Sequence, residues 1–408
     1  MKRKNIQNKI FYFAVLVLAT LFLFIGSTVV RSGTDDTLEH SNQTFFQGVV
    51  TEITDDTTED FFGGMTSRTV TFTVRITRGE LRGQYVQAMQ HIHEYAPSVE
   101  ERAVSSGDRV LLVAFDDVYG YNFANFVRTN YIIILGLIFV AVMLLFARKR
   151  GFNTIIALAF TCLAIFVVFI PSIINGNNIY LATIIVCIYT ILVTLSLVVG
   201  LNKKALSAIL GCLGGVVFSA ILMVLMDSIM QLTGLLDNET VALLYLPTDS
   251  PINLRAIVFA GVTLGVVGAI MDVSMSISSS LWEIEQVGEK TEFRKLFNSG
   301  LNIGRDILGT MLNTLIIAYI GSSISLILII YAHSTSMAEL FNMELIIVEL
   351  LRALVGSFGM LLTIPLTSVI CGWLYTTTNK AKSVKVDPYS QKLSDLDFNG
   401  SENTEKNG

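Results

Sequence analysis

An aspartate lies well inside an apolar stretch of membrane-spanning length, residues 256–281. The same stretch carries a run of small and polar residues spaced three or four positions apart: Gly261, Gly265, Gly268, Asp272, Ser276 and Ser279. At about 100° per residue these positions form one helical stripe roughly 80° wide. A charged group deep in a bilayer is costly, and small residues let a neighbouring helix approach closely. The stripe therefore predicts an integral membrane protein with a polar site between helices, and we expect its glycines to pack against another helix.

Two interpretations of Asp272 remain open at this point. In one, the stripe is a helix-packing seam and the aspartate is bonded to neighbouring hydroxyl groups. In the other, Asp272 and Ser276 line the path of a solute or a proton. Ionisable groups inside a membrane are usually functional, so we favour the second interpretation.

The composition excludes several classes of protein. Hydrophobic residues make up 52% of the 408 residues and charged residues 15%, which excludes an ordinary soluble protein. No dense basic patch is present, so we expect no nucleic-acid partner. The chain lacks the P-loop, HExxH and GxSxG motifs, and we expect neither an enzyme nor a bound cofactor. The cysteines all lie in apolar segments, which favours buried apolar side chains over a disulfide framework or a zinc site: Cys162, Cys187, Cys212 and Cys371.

The N-terminus has the pattern of a signal-anchor. Basic residues precede an apolar run at 10–30, which is long enough to cross a bilayer and is followed by no Ala-x-Ala-like cleavage site. We interpret residues 1–30 as an uncleaved transmembrane helix. Cleavage near Gly26 and Ser27 is the alternative.

Residues 31–128 form a polar module. Near-alternating β-branched residues and glycine turns predict strands at 45–53, 69–78, 83–89 and 107–115. Four or five short strands indicate a small all-β, OB-like barrel, with residues 59–65 at the tip of a long loop. His91 and His93 lie on one side of a predicted strand. Because no third ligand accompanies them, we interpret both as surface side chains and expect no metal.

Seven further apolar spans follow, at about 131–147, 153–174, 179–201, 205–232, 255–281, 307–331 and 344–376. Lysine and arginine cluster in every second connection, and the connections between those clusters contain neither residue. The positive-inside rule then predicts an α-helical polytopic membrane protein with about eight transmembrane helices, both termini cytoplasmic and residues 31–128 outside. Residues 129–378 would be a seven-helix bundle, and the polar tail 379–408 a disordered segment.

Two of these spans carry further polar residues. In the span near 307–331, Asp306 and Asn313 share one helical face. We expect this face to meet the Asp272 stripe in the cytoplasmic half of the membrane. Asp272 and Asp306 would then be the coordinating or coupling carboxylates, Arg305 their counter-charge and Asn313 a hydrogen-bonding liner.

The last span carries Glu349 and Arg352 near its external end. An ion pair within the helix is one interpretation, and a gate or substrate contact is the other. Further along, we expect Gly356 to pack against a neighbouring helix. Pro365 removes one backbone hydrogen bond and is expected to kink the helix.

Three stretches, at 264–284, 299–323 and 347–370, resemble the YibE/YibF family of multi-pass bacterial membrane proteins. The most specific of them contains Gly304-Arg305-Asp306 and Asn313-Thr314. The resemblance extends from about residue 47 to residue 380, and the polar module resembles that of the longer, YibE-type branch. It implies a fold and a set of polar positions: Asp272, Arg305, Asp306, Asn313 and Arg352. Members of this family are usually described as permeases and have no established biochemical role, so the resemblance implies no substrate.

We therefore expect a permease or channel for a small solute or ion that uses intramembrane carboxylates without ATP hydrolysis. The alternative is a membrane scaffold or sensor whose external module binds a partner and whose polar stripe serves assembly. Besides lipid, the expected partners are the solute or ion and either a second copy of the chain or a related membrane subunit. A stripe that lines water favours transport, and a stripe buried against another helix favours the scaffold.

Overall fold

The computed structural model of the protein describes residues 2–31, 43–61, 65–79, 81–93, 102–115, 120–200, 202–246, 248, 251–287, 292–333 and 336–383. The chain divides into two compact units. We call Asp36–Arg148 the barrel unit, and Met1–Asp35 together with Lys149–Gly408 the bundle unit.

A closed barrel of five strands forms the core of the barrel unit. The strands pair in the order β1-β2-β3-β5-β4, and their bounds are β1 (Gln43–Phe61), β2 (Met65–Arg78), β3 (Tyr85–His93), β4 (Arg109–Phe115) and β5 (Tyr121–Phe126). Only the pairing of β3 with β5 is parallel, and β1 closes the barrel by pairing with β4. The small β domain predicted for this region is thereby confirmed.

Alternation along the strands accounts for the barrel core. In β2, Val70, Phe72, Val74 and Ile76 are buried, and the residues between them are more exposed. Gly48 of β1 lies very close to β2. A Cβ atom at this position would overlap the Val74 side chain and would lie 2.9 Å from the carbonyl oxygen of Arg75. Only glycine therefore permits this strand approach.

The first two strands run further than predicted. They pair as far as Phe61 and Met65, so the predicted loop at 59–65 is largely strand, and residues 62–64 lie outside the described residues. Arg68 donates two hydrogen bonds, of 2.8 and 2.7 Å, to Asp56 and holds the pKa of that carboxyl below its usual range. This cross-strand pair favours the extended hairpin.

Helices make up most of the remaining described chain. The α-helices are α1 (Lys2–Arg31), α2 (Thr129–Leu163), α3 (Ile170–Ile174), α4 (Ile179–Val199), α5 (Lys203–Met230), α6 (Asn238–Ala242), α7 (Leu254–Val287), α8 (Phe293–Ser322), α9 (Ile324–His333), α10 (Met337–Leu340) and α11 (Glu344–Ser383). A π-helix, Ala164–Phe169, joins α2 to α3, and a 3₁₀ turn, Leu243–Tyr245, follows α6. Seven helical segments in the described part of the chain are long and apolar enough to cross a membrane.

Seven such segments occur where eight spans were predicted, because the spans at 131–147 and 153–174 share one helical run, Thr129–Ile174. This run has 46 residues. At ~1.5 Å per residue an unbroken helix of 46 residues would measure ~69 Å, more than twice the ~30 Å thickness of a bilayer's hydrocarbon core. Arg148, in the basic cluster 148–150, interrupts the helical backbone with φ 47° and ψ −122°. The run is therefore divided where the predicted connection lies.

The span predicted at 307–331 is displaced in the structure. Helix α8 already begins at Phe293, and it ends at Ser322 before the short helix α9. The early start follows from packing, since Leu296, Gly300 and Gly304 are buried against the bundle. Helix α11 runs through Pro365 without a break and continues to Ser383, and the rest of the predicted tail lies outside the described residues.

Helices α5, α7 and α11 form the centre of the bundle unit, with α4 packed on α5 and α7, and α8 packed on α7 and α11. Small residues interlock α5 with α11. A Cβ atom added to a glycine here would overlap a hydroxyl-bearing side chain in each of these pairs: Gly211 with Thr367, Gly215 with Thr363, and Gly359 with Ser219. Helix α1 joins the same unit through α4, because Tyr189 stacks on Phe22 and donates a 3.3 Å hydrogen bond to the carbonyl of Ala19.

Candidate functional site

Helix α7 is covered by its neighbours on every side except one. It has the largest buried share of the seven apolar helical segments and packs against α4, α5, α8 and α11. Between Ala256 and Ser280 its exposed residues are Gly261, Gly265, Gly268 and Asp272. These belong to the predicted stripe, whose Ser276 and Ser279 are half-buried. The stripe is therefore the open face of an otherwise enclosed helix. We call it the open stripe.

This result corrects the expectation that Gly268 packs against another helix. A Cβ atom added to Gly268 would meet no atom within 4 Å, because this position faces open space. The apolar faces of α7 make the close contacts instead, through residues such as Val266 and Ile270. By contrast, Gly356 of α11 does pack as predicted, since a Cβ atom there would lie 3.0 Å from side-chain atoms of Leu315 and Val266.

Asp272 lies on the open stripe with no hydrogen bond or ion pair to any residue that the structure describes. Hydrocarbon is a poor environment for such a carboxylate, at a cost of at least ~2.5–3.5 kcal/mol on insertion scales. The side chain therefore needs water, a cation or another polar group on its open side. The neighbouring Gly268 leaves room for one.

Two side chains from other helices lie over the glycines of the open stripe. The Nη2 atom of Arg352 would lie 3.7 Å from a Cβ atom on Gly261, and the hydroxyl of Tyr319 would lie 3.4 Å from one on Gly265. Arg352 also donates a 2.8 Å hydrogen bond to Glu349, and the two side chains are only 26% and 20% exposed. The ion pair predicted within α11 is confirmed. We call Tyr319, Glu349 and Arg352 the outer cluster.

The outer cluster holds three buried polar atoms that have no hydrogen-bond partner within the described chain: Tyr319 Oη, Glu349 Oε2 and Arg352 Nε. Arg352 Nε is a donor, Glu349 Oε2 is an acceptor, and the tyrosine hydroxyl is both. A buried polar atom left without a partner costs about 1–3 kcal/mol, so this position calls for water or a polar ligand. The cluster can therefore hold a hydrated or hydrogen-bonding solute beside the glycines of α7.

Helix α8 places its predicted polar residues on the surface of the bundle unit. Arg305, Asp306 and Asn313 are all exposed. Arg305 reaches back along its own helix, with Nη1 3.5 Å from Asn302 Oδ1, and none of the ion pairs among the described residues joins it to Asp272 or Asp306. The expected counter-charge is therefore not formed. Arg305 and Asp306 are consecutive, and their side chains leave the helix about 100° apart.

A second polar cluster ties the central helices together and was missed by sequence reasoning. The hydroxyl of Tyr375 in α11 lies 2.9 Å from Ser207 Oγ in α5 and 3.1 Å from Ser278 Oγ in α7. Both serines also donate to the carbonyl of Lys204, at 3.0 and 2.7 Å. Every hydroxyl in this cluster has a partner and all three residues are fully buried. The cluster stabilises the bundle and offers no open position to a ligand.

Other features give no comparable site. A cavity of about 510 Å³ lies between α1, the π-helix and α4, but its lining is largely apolar and includes Phe22, Val168 and Phe169. In the barrel, exposed His91 lies 3.2 Å from the hydroxyl of Thr69, and the side chain of His93 lies outside the described residues. Within the described chain, no group of three or more histidine, cysteine or acidic residues is placed to hold a metal. Cys187, Cys212 and Cys371 are buried as predicted, whereas Cys162 is exposed.

Comparison with known proteins gives one match. The family model described as YibE/F-like protein matches residues 135–377. This range contains the open stripe, the outer cluster and the polar face of α8, and it leaves out the five strands of the barrel. No curated protein and no solved structure matches the chain.

Proposed function

Because the chain belongs to the YibE/F-like protein family, we propose that it is a membrane permease for a small cation, protons included, that works without ATP hydrolysis. One observation carries this proposal: Asp272 is an unpaired carboxylate on the open, glycine-lined face of the most enclosed helix. An apolar helix that served only as packing would not keep its acidic group on its uncovered side. The same position suits a carboxylate that binds and releases a cation.

The order of groups along α7 supports a pathway. Starting from the N-terminal part of α7, the open stripe presents Gly261 beside Arg352, then Gly265 beside Tyr319, then the open position at Gly268, and then Asp272. At ~1.5 Å per residue, Gly261 and Asp272 are about 16 Å apart, roughly half of the hydrocarbon thickness. Arg352 and Glu349 neutralise each other, so the charge of Asp272 dominates. That favours cations over anions.

The proposed topology places this line of groups across the middle of a bacterial cell membrane, from Gly261 in the outer half to Asp272 in the cytoplasmic half, with both termini in the cytoplasm. The outer cluster then lies near the external entrance, and Glu349 and Arg352 are candidates for an external gate. The barrel, OB-like in its strand order, lies outside the membrane in this arrangement.

The test uses purified full-length protein in liposomes. Proton entry is followed with a trapped pH dye, and uptake of sodium, potassium, magnesium, manganese and zinc by elemental analysis. We expect flux of at least one cation, and a loss of about tenfold or more in Asp272→Asn, which keeps the shape and removes the charge. Gly268→Leu should block flux as well, because the new side chain fills open space without a packing clash. Glu283→Gln, an exposed acidic position on the same helix, is the matched control and should keep the flux.

Two results would overturn the proposal. One is the absence of flux above that of empty liposomes for every cation tested. The other is unchanged flux in Asp272→Asn at equal protein content. Either result would favour the scaffold or sensor, in which the open stripe serves assembly with another subunit and the barrel binds a partner.

A further inference from the structure

The outward face of α8 is polar, unlike the outward faces of α4, α5 and α11. Its apolar segment is the least hydropathic of the seven, and only Leu296, Gly300 and Gly304 on this helix are fully buried. The exposed face carries this series: Asn302, Arg305, Asp306, Gly309, Thr310, Asn313 and Thr314. These residues extend over ~18 Å along the helix.

The threonines on this face are satisfied locally, and the other polar side chains are not. Thr310 and Thr314 each donate a 2.9 Å hydrogen bond to a carbonyl one turn earlier in the helix. Asp306 and Asn313 have no hydrogen-bond partner within the described chain, and Arg305 has only the 3.5 Å contact to Asn302. A face that exposes an acid, a base and an amide is poorly suited to lipid. It therefore calls for a polar partner in the membrane.

We propose that this face of α8 binds the same face of a second copy of the chain in a two-fold symmetric dimer. Copies inserted in one membrane share the same orientation. A two-fold axis along the membrane normal therefore places each residue at the same depth as its counterpart in the other copy. Arg305 and Asp306 have opposite charge and lie only ~1.5 Å apart in depth. Arg305 of one copy thus meets Asp306 of the other, and the pairing occurs twice.

Two further residues fit a second copy. Asn313 lies near the C-terminal end of the face, and an asparagine amide carries both a donor and an acceptor, so two copies of it can bond to each other. A Cβ atom on Gly309 would meet no atom within 4 Å, so this position leaves space for the close approach of another helix. A surface with charges of both signs at one depth and a self-complementary amide matches itself. The proposal concerns α8 and does not depend on transport through the α7 stripe.

Disulfide cross-linking in native membranes tests the contact in the full-length protein. Cys162 is replaced by serine because it is exposed, whereas the other three cysteines are buried. Ile320→Cys then places a thiol on the same helical face as Asn302 and Asn313. Val217→Cys on α5 is the matched control, because Ile320 and Val217 are 49% and 48% exposed. Mild oxidation should give a covalent dimer with Ile320→Cys and none with Val217→Cys.

Charge reversal then tests the pairing in the Ile320→Cys background. Asp306→Arg places two basic residues opposite two basic residues and should lower the cross-linked fraction about tenfold or more. The double exchange Arg305→Asp with Asp306→Arg restores opposite charges and should restore the dimer. Asp272→Asn should leave the cross-linked fraction unchanged, which separates this proposal from the proposed function.

Three results would overturn the dimer. They are equal cross-linking at positions 320 and 217, an undiminished dimer with Asp306→Arg, and a cross-linked product that contains a different protein. The last would show that another membrane subunit occupies this face.

Discussion

Replacement of Tyr375 by phenylalanine tests the energetic role of the buried cluster that joins α5, α7 and α11. The change removes one hydroxyl and with it the contacts to Ser207 Oγ at 2.9 Å, to Ser278 Oγ at 3.1 Å and to the Ser278 carbonyl at 3.3 Å. It also removes the acceptor that lies 3.7 Å from Cys371 Sγ. Both serines keep the carbonyl of Lys204 as their hydrogen-bond acceptor. The substitution therefore leaves no buried hydroxyl without a partner.

The expected loss follows from these contacts. Hydrogen bonds between side chains of membrane helices contribute about 0.6 kcal/mol on average, and those in proteins generally about 0.5–1.5 kcal/mol. The hydroxyl has one proton to donate and also accepts, so about two hydrogen bonds are lost. That loss lowers the free energy of unfolding by about 1–2 kcal/mol, a factor of roughly 5–30 in the folding equilibrium. Tyr319→Phe is the matched control, because its hydroxyl is buried without a partner in the described chain. This second variant should be neutral or slightly stabilising.

The assay is equilibrium unfolding of the purified protein in mixed micelles, with increasing sodium dodecyl sulfate in a mild detergent and tryptophan fluorescence as the signal. The reasoning fails if Tyr375→Phe unfolds within about 0.3 kcal/mol of the unsubstituted protein, a difference too small for two lost hydrogen bonds. It also fails if Tyr319→Phe loses as much stability as Tyr375→Phe. Either outcome would mean that the hydroxyl contacts do not decide how firmly these three helices pack.

Two other predictions concern the topology and the barrel. In intact cells, an impermeant thiol reagent should label a cysteine placed at Thr57 and spare one placed at Glu292, because lysine and arginine cluster in every second connection. The opposite labelling would invert the proposed topology. A soluble fragment of residues 43–128 should show a β-type circular dichroism spectrum and a cooperative melt. A fragment of residues 43–120 should show neither, because it lacks β5, the strand that pairs with both β3 and β4. Equal cooperativity in the two fragments would contradict a closed barrel as the folding unit.

Features that depend on one chain segment could be predicted from the sequence. The buried valines and Phe72 of β2 alternate with period two, and that pattern is local. Glu349 and Arg352 are one turn apart in a helix, so their ion pair needs no information about other helices. The polar face of α7 was likewise visible as a helical period.

Features that depend on how helices cross could not be predicted in this way. The contact of Tyr319 with the Gly265 position arises where α8 crosses α7, and a single tyrosine in an apolar run gives no signal of it. Arg305 was expected to pair with Asp272 because both residues were placed in the cytoplasmic half of the membrane. The rotation of α8 about its own axis, however, decides where the Arg305 side chain points. The glycines that interlock α5 with α11, such as Gly215 against Thr363, have no apolar period that would mark them.

The interlocked small residues of α5 and α11 have a consequence for motion. A permease must open its binding position first to one side of the membrane and then to the other. Helices joined by backbone-to-hydroxyl contacts, with no flexible side chain between them, cannot slide without a clash, so α5 and α11 should behave as a rigid body. The hydrogen bond from Ser278 to the carbonyl of Lys204 keeps α7 with them. Helix α8 has little buried surface, borders the open stripe and ends at a break at Ser323. Alternating access in this protein would then come from a rocking of α8 against a stationary frame.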